Sequence, residues 1–160
     1  DSLTGAASRR AFFELAGARF ELARNRRKSL AVIVIDVDRF KSVNDEFGHA
    51  GGDLALQGIA NALREGLREQ DLLGRLGGEE FAALLPDADL ALASQVAERL
   101  RRAVASLELS SDGRRMSLRI CAGVASLAPG DDSLHALLVR ADRGLYDAKR
   151  AGRDRVGVVV

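Results

Sequence analysis

The sequence predicts an α/β sandwich, in which helices cover a sheet that includes a β-hairpin. Residues 30–35 form an unbroken apolar and β-branched run, which is typical of a central strand covered on both faces. Residues 72–76 and 80–85 form two apolar runs joined by Gly77-Gly78. We expect a hairpin there, because glycine readily adopts the positive φ that tight hairpin turns need. A hairpin within a helix-covered sheet favours the sandwich over a doubly wound sheet.

The remaining elements follow from apolar periodicity, which repeats every three to four residues in helices and every two in strands. Helices are predicted over residues 9–25, 40–46, 53–68, 89–106 and 133–151, and further strands over 116–127 and 156–160. No G-x-G-x-x-G motif follows the first strand, and no P-loop occurs. A nucleotide bound here therefore needs a different binding device.

The composition predicts one domain with local rather than long-range charge effects. The 160 residues suffice for one full core. A formal net charge of +1 and few aromatic residues argue against nucleic acid or a membrane surface as a partner. Cys121 lies in an apolar run and is expected in the core, which suits a reducing compartment. Because the chain begins at Asp1, we expect a single cytoplasmic domain over residues 1–160 of a longer protein, with any membrane anchor outside it.

Four carboxylates are predicted to meet at one rim of the sheet. Asp36 and Asp38 follow the central strand, where the two-residue period places them on the same side of the backbone. Glu79 and Glu80 follow the hairpin glycines and reach the same rim if the hairpin pairs beside the central strand. Clustered carboxylates repel one another unless a cation lies between them, and Mg²⁺ prefers such oxygen ligands. The alternative is that the aspartates cap the next helix and the glutamates are solvated turn residues.

The segment D-V-D-R-F-K-S-V-N-D-E-F-G-H-A-G-G-D adds groups suited to a nucleotide. A helix that begins near Phe40 offers free backbone N–H groups to phosphate, and Lys41 adds positive charge there. Asn44 and Asp53 provide an amide and a carboxylate, which complement the edge of guanine. His49 is either a ligand contact or a structural hydrogen-bonding residue at a turn.

This segment, followed by G-G-E-E-F and L-Y-x-A-K-x-x-G-R, resembles the GGDEF family, the diguanylate cyclases. The resemblance runs from D-S-L-T-G at residues 1–5 to Gly152-Arg153. It implies a ferredoxin-like nucleotide-cyclase palm, in which helices flank a mostly antiparallel sheet of about five strands and an added hairpin carries G-G-E-E-F. It also implies an enzyme that condenses two GTP molecules into cyclic di-GMP and releases two pyrophosphates.

The resemblance also implies roles for individual residues. Two Mg²⁺ ions per site, which Mn²⁺ can replace, would be held by Asp36, the backbone carbonyl of Val37, Glu79 and Glu80. GTP would be bound by Phe40, Lys41, Asn44, His49, Asp53, Lys149 and Arg153. Catalysis would involve Glu79, Glu80 and Lys41. Whether Glu79 is the base for the ribose 3′-OH or only a metal ligand stays open at this point.

A second site is implied by Arg68-Glu69-Gln70-Asp71, an R-x-x-D motif that binds product and inhibits many members of the family. Arg99 on the following helix matches a secondary contact of that site. An arginine fork binds phosphate or a guanine edge, and an aspartate accepts from guanine N–H groups. The alternative is that Arg68 and Asp71 form an ordinary helix-end ion pair and that Arg99 lies on a solvated helix face.

One chain presents one nucleotide site, whereas the product joins two GTP molecules, so the resemblance implies turnover by a homodimer. The main rival is a catalytically silent receptor for GTP or cyclic di-GMP, which degenerate signature residues would favour; here the signature residues are present. A purely structural dimerisation module would not need metal-suited acids beside a basic segment. Asp154 replaces the Asn expected after Gly152-Arg153, and its charge is expected to weaken phosphate binding by Arg153 slightly.

Overall fold

The central strand of the protein lies where the apolar run predicts it. The computed structural model describes all 160 residues. In chain order the elements are α1 Arg9–Asn25, β1 Leu30–Val37, α2 Phe40–Glu65, β2 Leu72–Gly77, β3 Glu80–Pro86, α3 Leu90–Ala105, β4 Leu109–Ser111, β5 Arg114–Met116, β6 Ile120–Ser126, α4 Leu134–Arg150 and β7 Val156–Val158.

Five strands form one sheet in the order β2-β3-β1-β6-β7. β1 pairs antiparallel with both β3 and β6, whereas β7 runs parallel to β6. β4 and β5 form a separate two-stranded hairpin. The mostly antiparallel five-stranded sheet, with β2–β3 as an added hairpin at one side, confirms the predicted fold class.

The helices cover both faces of this sheet, and β1 is buried between the two layers. Ile33 and Ile35 pack with α2 and α3 on one face, whereas Val32 and Val34 pack with α1 and α4 on the other. Each side chain of the strand therefore enters one of two apolar layers, which explains why its sequence is continuously apolar rather than alternating. Cys121 is buried in the second layer, as predicted.

The single strand predicted over 116–127 is wrong. Met116 ends β5, which pairs with β4, and the strand of the main sheet begins only at Ile120. Met116, Leu118 and Ile120 are all buried, so the apolar alternation continues across the break. The alternation reports burial, whereas the change of pairing partner is decided by the rest of the fold.

The two helices predicted over 40–46 and 53–68 are the arms of α2, which is kinked at Gly48 (φ 74°, ψ 175°) and ends at Glu65. The second arm begins earlier than predicted, because Gly51 and Gly52 are helical and buried rather than part of a loop.

The hairpin β2–β3 is correctly predicted, but the reason given for its glycines is wrong. The glycines of the protein with positive φ are Gly5, Gly48, Gly113 and Gly152, so neither Gly77 nor Gly78 uses that freedom. A register shift between Arg75 and Gly77 indicates a bulge just before the turn. No helix of the protein combines the length and the apolarity needed to cross a membrane.

Candidate active site at the rim of β1 and β3

The end of β1 and the G-G-E-E turn meet at one rim of the sheet. Asp36 lies opposite Glu80 in the antiparallel register of β1 and β3. The backbone N–H of Val37 donates to the carbonyl oxygen of Glu79 at 3.2 Å. This pairing confirms that the hairpin lies beside the central strand, and it holds the turn against the strand end.

Asp36 is a buried carboxylate with one partner. Its Oδ2 forms an ion pair with Nζ of Lys149, which projects from the last turn of α4, whereas its Oδ1 is buried without a hydrogen-bond partner. Burial raises the pKa of Asp36, Lys149 opposes this shift, and the charges of Glu79 and Asp38 add to the rise. The net direction is upward, because burial and two negative neighbours outweigh one lysine.

Asp38 is the second acid of the rim, and it is half-buried. Its Oδ2 accepts from the backbone N–H of Asp154 at 2.8 Å, and its Oδ1 is buried without a partner. Burial, followed by hydrogen bonding to the Asp38 carboxylate, raises the pKa of the Cys121 thiol to about 12. Neither aspartate caps α2, whose N-cap residue Arg39 adopts a left-handed φ of 52° and makes no side-chain cap. The capping alternative is therefore wrong.

A cation fits this rim on the chemistry of its donors. Oδ1 of Asp36 and Oδ1 of Asp38 are two buried carboxylate oxygens that lack a donor, which is rare in folded proteins. No three His, Cys, Asp or Glu residues lie close enough to form a metal cluster by themselves. Mg²⁺ often binds through only one or two protein carboxylates and keeps several water ligands, so it does not need such a cluster.

The residues predicted to bind guanine lie together because α2 folds back at Gly48. Asn44 and Gly52 are eight residues apart, which would separate them by about 12 Å in a straight helix. Instead, a Cβ atom added to Gly52 would overlap Oδ1 of Asn44 and lie 3.3 Å from the ring of Phe40. Asp53 follows directly and is exposed. The kink therefore brings the half-buried side chains of Phe40 and Asn44 beside the backbone of Gly52, directly before the exposed Asp53.

The predicted phosphate-binding groups are free of internal partners, with one exception. The first backbone N–H groups of α2 have no side-chain cap, so they stay available to an anion. The ion pairs of the protein do not include Lys41 or Arg153, both of which are exposed, whereas Lys149 is paired with Asp36. His49 is exposed and its side chain makes no hydrogen bond within the protein, which argues against its structural alternative.

At the predicted product site, the internal ion pair is present. The Arg68 guanidinium and backbone N–H both donate to Asp71, with contacts of 2.8 Å to each carboxylate oxygen, and the side chain of Asp71 is fully buried. Arg68 also donates to the carbonyl oxygen of Pro86 at 2.7 Å. Arg99 donates to the carbonyl oxygen of Gly66, two residues before Arg68, and is exposed. The arginines are thus neighbours, and part of the Arg68 guanidinium reaches solvent.

Sequence reasoning missed two groups that support the rim. Arg75 donates to the carbonyl oxygen of Gly78 at 2.8 and 3.0 Å and forms an ion pair with Asp1 at 3.3 Å. Arg101 on α3 forms an ion pair with Asp154 at 2.8 Å. A lone arginine in the apolar strand β2 was an available signal for Arg75. Arg101 had no such signal, because it lies in an ordinary E-R-L-R-R helix face.

Comparison with known proteins places this geometry in one family. Residues 1–155 match the family model described as "Diguanylate cyclase, GGDEF domain". The chain is 43% identical over 160 residues to diguanylate cyclase DgcP of Pseudomonas aeruginosa, covering 99% of this chain and 23% of that protein. Other curated relatives are also much longer than this chain, which spans 35% to 44% of their length.

Solved structures agree with this comparison. The GGDEF domain of DgcB from Caulobacter crescentus in complex with c-di-GMP superposes with a TM-score of 0.94 at 31% identity, covering 99% of this chain and 94% of that one. The active GGEEF domain of a diguanylate cyclase from Vibrio cholerae superposes with a TM-score of 0.91 at 34% identity, covering 96% and 97% of the two chains.

Proposed function

Because the chain belongs to the GGDEF domain family of diguanylate cyclases, we propose that it condenses two GTP molecules into cyclic di-GMP and releases two pyrophosphates. The observation that carries the proposal is the rim itself. Asp36 keeps one buried carboxylate oxygen without a partner beside the Glu79–Glu80 turn, where Lys149 is the only cation bound. A rim with this excess of negative charge suits a divalent cation, which would in turn attract a triphosphate.

The proposed metal donors are Asp36, the backbone carbonyl of Val37, Glu79 and Glu80. When bound, Mg²⁺ supplies neutralisation of phosphate charge and activation of a ribose hydroxyl, the two needs of phosphoryl transfer. The backbone hydrogen bond from Val37 holds the backbone of Glu79 against the end of β1, so its side chain starts beside Asp36. We assign Glu79 as a metal ligand and as the group nearest the attacking 3′-OH, with Glu80 as an additional donor.

The proposed nucleotide contacts divide between the two arms of the site. Asn44 and Asp53 read the guanine edge, Phe40 packs beside the base and His49 lines the pocket. Lys41, the first N–H groups of α2, Lys149 and Arg153 bind the phosphates. Lys41 and Lys149 hold positive charge where negative charge grows on the phosphate oxygens, which stabilises the transition state electrostatically.

The two glycines of the turn support this assignment. A Cβ atom at Gly77 would lie 3.8 Å from Oε2 of Glu80, and one at Gly78 would meet nothing within 4 Å. Neither residue has a positive φ. The fold of this chain therefore has no need of glycine at Gly78, whereas a ligand that approaches the backbone closely does.

We propose that turnover requires two copies of the chain, because each copy carries one nucleotide site and each 3′-OH must attack the other nucleotide. We further propose that Arg68, Asp71 and Arg99 form an inhibitory product site. Cyclic di-GMP would there replace the internal contacts of the half-buried Arg68 and the exposed Arg99. A nucleoside triphosphate substrate places this chemistry in the cytoplasm.

The proposal is tested by incubating the protein with GTP and Mg²⁺ over a wide range of protein concentration and separating the products by chromatography. We expect cyclic di-GMP at a rate that rises faster than linearly with protein concentration. Gly78→Ala should fold with unchanged stability and lose turnover, with Gly130→Ala, an open exposed glycine, as the matched control. Unchanged cyclisation by Gly78→Ala would contradict the assigned turn.

The same assay tests the alternative of a silent receptor and the proposed inhibitory product site. GTP binding without product at every concentration, and also after forced dimerisation, would identify a silent receptor instead. Arg68→Ala should relieve inhibition by added cyclic di-GMP while leaving the initial rate unchanged. Equal inhibition of Arg68→Ala and the unsubstituted protein would remove the product site from the proposal.

A further inference from the structure

The loop that follows α4 has an unusual backbone and touches the active-site rim. Gly152, Arg153 and Asp154 all have positive φ, of 122°, 65° and 45°. Two consecutive non-glycine residues in this region are unfavourable unless the surroundings hold them. The backbone N–H of Arg153 donates to the carbonyl oxygen of Ala148 at 3.1 Å, which anchors the loop on the last turn of the helix.

The carboxylate of Asp154 is held from two sides. Nη1 of Arg101 lies 2.8 Å from one oxygen, and Nε of Arg119 lies 3.5 Å from the other. Arg101 is itself fixed by Glu98, one turn earlier on α3, with contacts of 2.6 and 2.9 Å. The hydrogen bonds that Arg101 donates to Glu98 and Asp154 raise its pKa, so the guanidinium stays charged. The Asp154 charge is thus neutralised by these arginines and not by Arg153.

Asp154 also connects this network of charges to the rim through its backbone. The backbone N–H of Asp154 donates to Oδ2 of Asp38 at 2.8 Å, while the backbone N–H of Asp38 donates to the carbonyl oxygen of Arg119 at 2.8 Å. Asp38, Arg119 and Asp154 therefore form a closed triangle. Asp36 and Asp38 leave the same end of β1, and each keeps a buried Oδ1 atom without a hydrogen-bond partner.

We propose that Asp154 is a positioning residue for the cation–nucleotide site. Arg101 and Arg119 hold the carboxylate of Asp154 and thereby fix the loop. The backbone N–H of Asp154 then orients Asp38 beside Asp36. The fixed loop also leaves the charge of Arg153 unpaired and directed at the phosphates. Asp154 acts only through these neighbours and touches neither reactant. The inference rests on the proposed function, because it assigns the cation and phosphates to this rim.

The test measures binding without turnover. Mn²⁺ binding in the presence of 3′-deoxy-GTP, which lacks the attacking hydroxyl, is followed by electron paramagnetic resonance of free Mn²⁺. We expect Asp154→Ala and Arg101→Met each to weaken Mn²⁺–nucleotide binding by about tenfold, as is usual when a group that orients metal-site residues is lost. The double variant should bind no more weakly than the weaker single variant, because the two groups act as one unit.

Arg102→Met is the matched control, since Arg102 also pairs with Glu98 but is exposed and does not reach Asp154. It should bind like the unsubstituted protein. Asp154→Asn, which keeps the shape and one acceptor, should fall between the unsubstituted protein and Asp154→Ala. It also serves if the alanine variant fails to fold.

Binding by Asp154→Ala equal to that of the unsubstituted protein would overturn the inference, as would additive losses in the double variant. A lower melting temperature with unchanged binding per folded molecule would show a merely structural role and overturn it too. Failure of the unsubstituted protein to bind Mn²⁺ and nucleotide would instead overturn the proposed function, and with it this inference. A protein that binds both without cyclising would contradict only the activity.

Discussion

Lys149 on α4 and Asp36 on β1 form an ion pair across the active-site rim, so an ammonium group occupies one side of the carboxylate to which we assign the divalent cation. Lys149 is half-buried, and the pair joins two elements that lie far apart in the chain. The lysine therefore has two opposing effects. We expect it to compete with the proposed cation for Asp36 and to attract the triphosphate of the proposed substrate.

Lys149→Met separates these effects. Mn²⁺ alone should bind more tightly to the variant than to the unsubstituted protein, because the competing ammonium is gone. The KM for GTP should rise by about tenfold, the equivalent of one lost charge-assisted hydrogen bond of about 1.5 kcal/mol. Arg150→Met is the control, because Arg150 points to Tyr146 on the helix surface. Weaker Mn²⁺ binding by Lys149→Met would argue that the lysine supports the metal site rather than competing with it.

Gly52→Ala should damage guanine recognition while leaving the fold intact. The added methyl group would overlap Oδ1 of Asn44, which is the end of a flexible side chain and can swing away. GTP binding should weaken by about 1–3 kcal/mol, the usual value of one base-reading contact. The preference for GTP over ATP should fall with it, as measured by competition with a labelled analogue. Retained preference in a folded variant would exclude Asn44 from guanine recognition.

Asp131→Asn should destabilise the protein in a pH-dependent way. Burial raises the pKa of Asp131, but the Arg140 guanidinium and the backbone N–H of Ala128 outweigh it and lower the pKa below its ordinary value of 3.8. A carboxyl group with a lowered pKa in the folded state stabilises the protein above the unfolded pKa and loses this effect as the pH falls through the folded pKa. The variant should therefore be less stable by about 3 kcal/mol at pH 7, because Arg140 loses its buried partner.

Urea unfolding at pH 7 and near pH 3 tests this prediction. The difference between Asp131→Asn and the unsubstituted protein should shrink at the lower pH, where the carboxylate begins to protonate. Asp132→Asn, at the exposed neighbouring position, should show little difference at either pH. A gap that stays constant with pH would assign the loss to packing rather than to charge.

Gly17→Ala should stabilise the protein. Gly17 lies within α1, and an added Cβ would meet nothing within 4 Å, so the change removes backbone entropy from the unfolded chain without a clash. We expect a gain of about 0.5–1 kcal/mol in the free energy of unfolding. Gly144→Ala in α4 should have the opposite sign, because its Cβ would lie 2.6 Å from the backbone oxygen of Gly157. Equal changes in the free energy of unfolding at the two positions would show that the space around the added methyl group does not determine the sign of the effect.

Local patterns in the sequence were sufficient for most of the fold. The apolar run of β1 indicates a strand that buries both faces, and each helical stripe indicates one buried face, so both are visible in the order of the residues alone. The change of pairing partner near Leu118 was not visible, because burial continues through it. The turn glycines were correctly placed but wrongly explained, since their backbone angles are not a property of sequence.

The motif spacing by itself determined the family and the candidate residues, because each motif is a short contiguous stretch of sequence. Only the tertiary structure decided which charges meet. It pairs Lys149 with Asp36, and it pairs Asp154 with Arg101 and Arg119 instead of Arg153. Such pairs depend on how separate elements pack and on which groups are shielded from water. Neither quantity is written in local spacing.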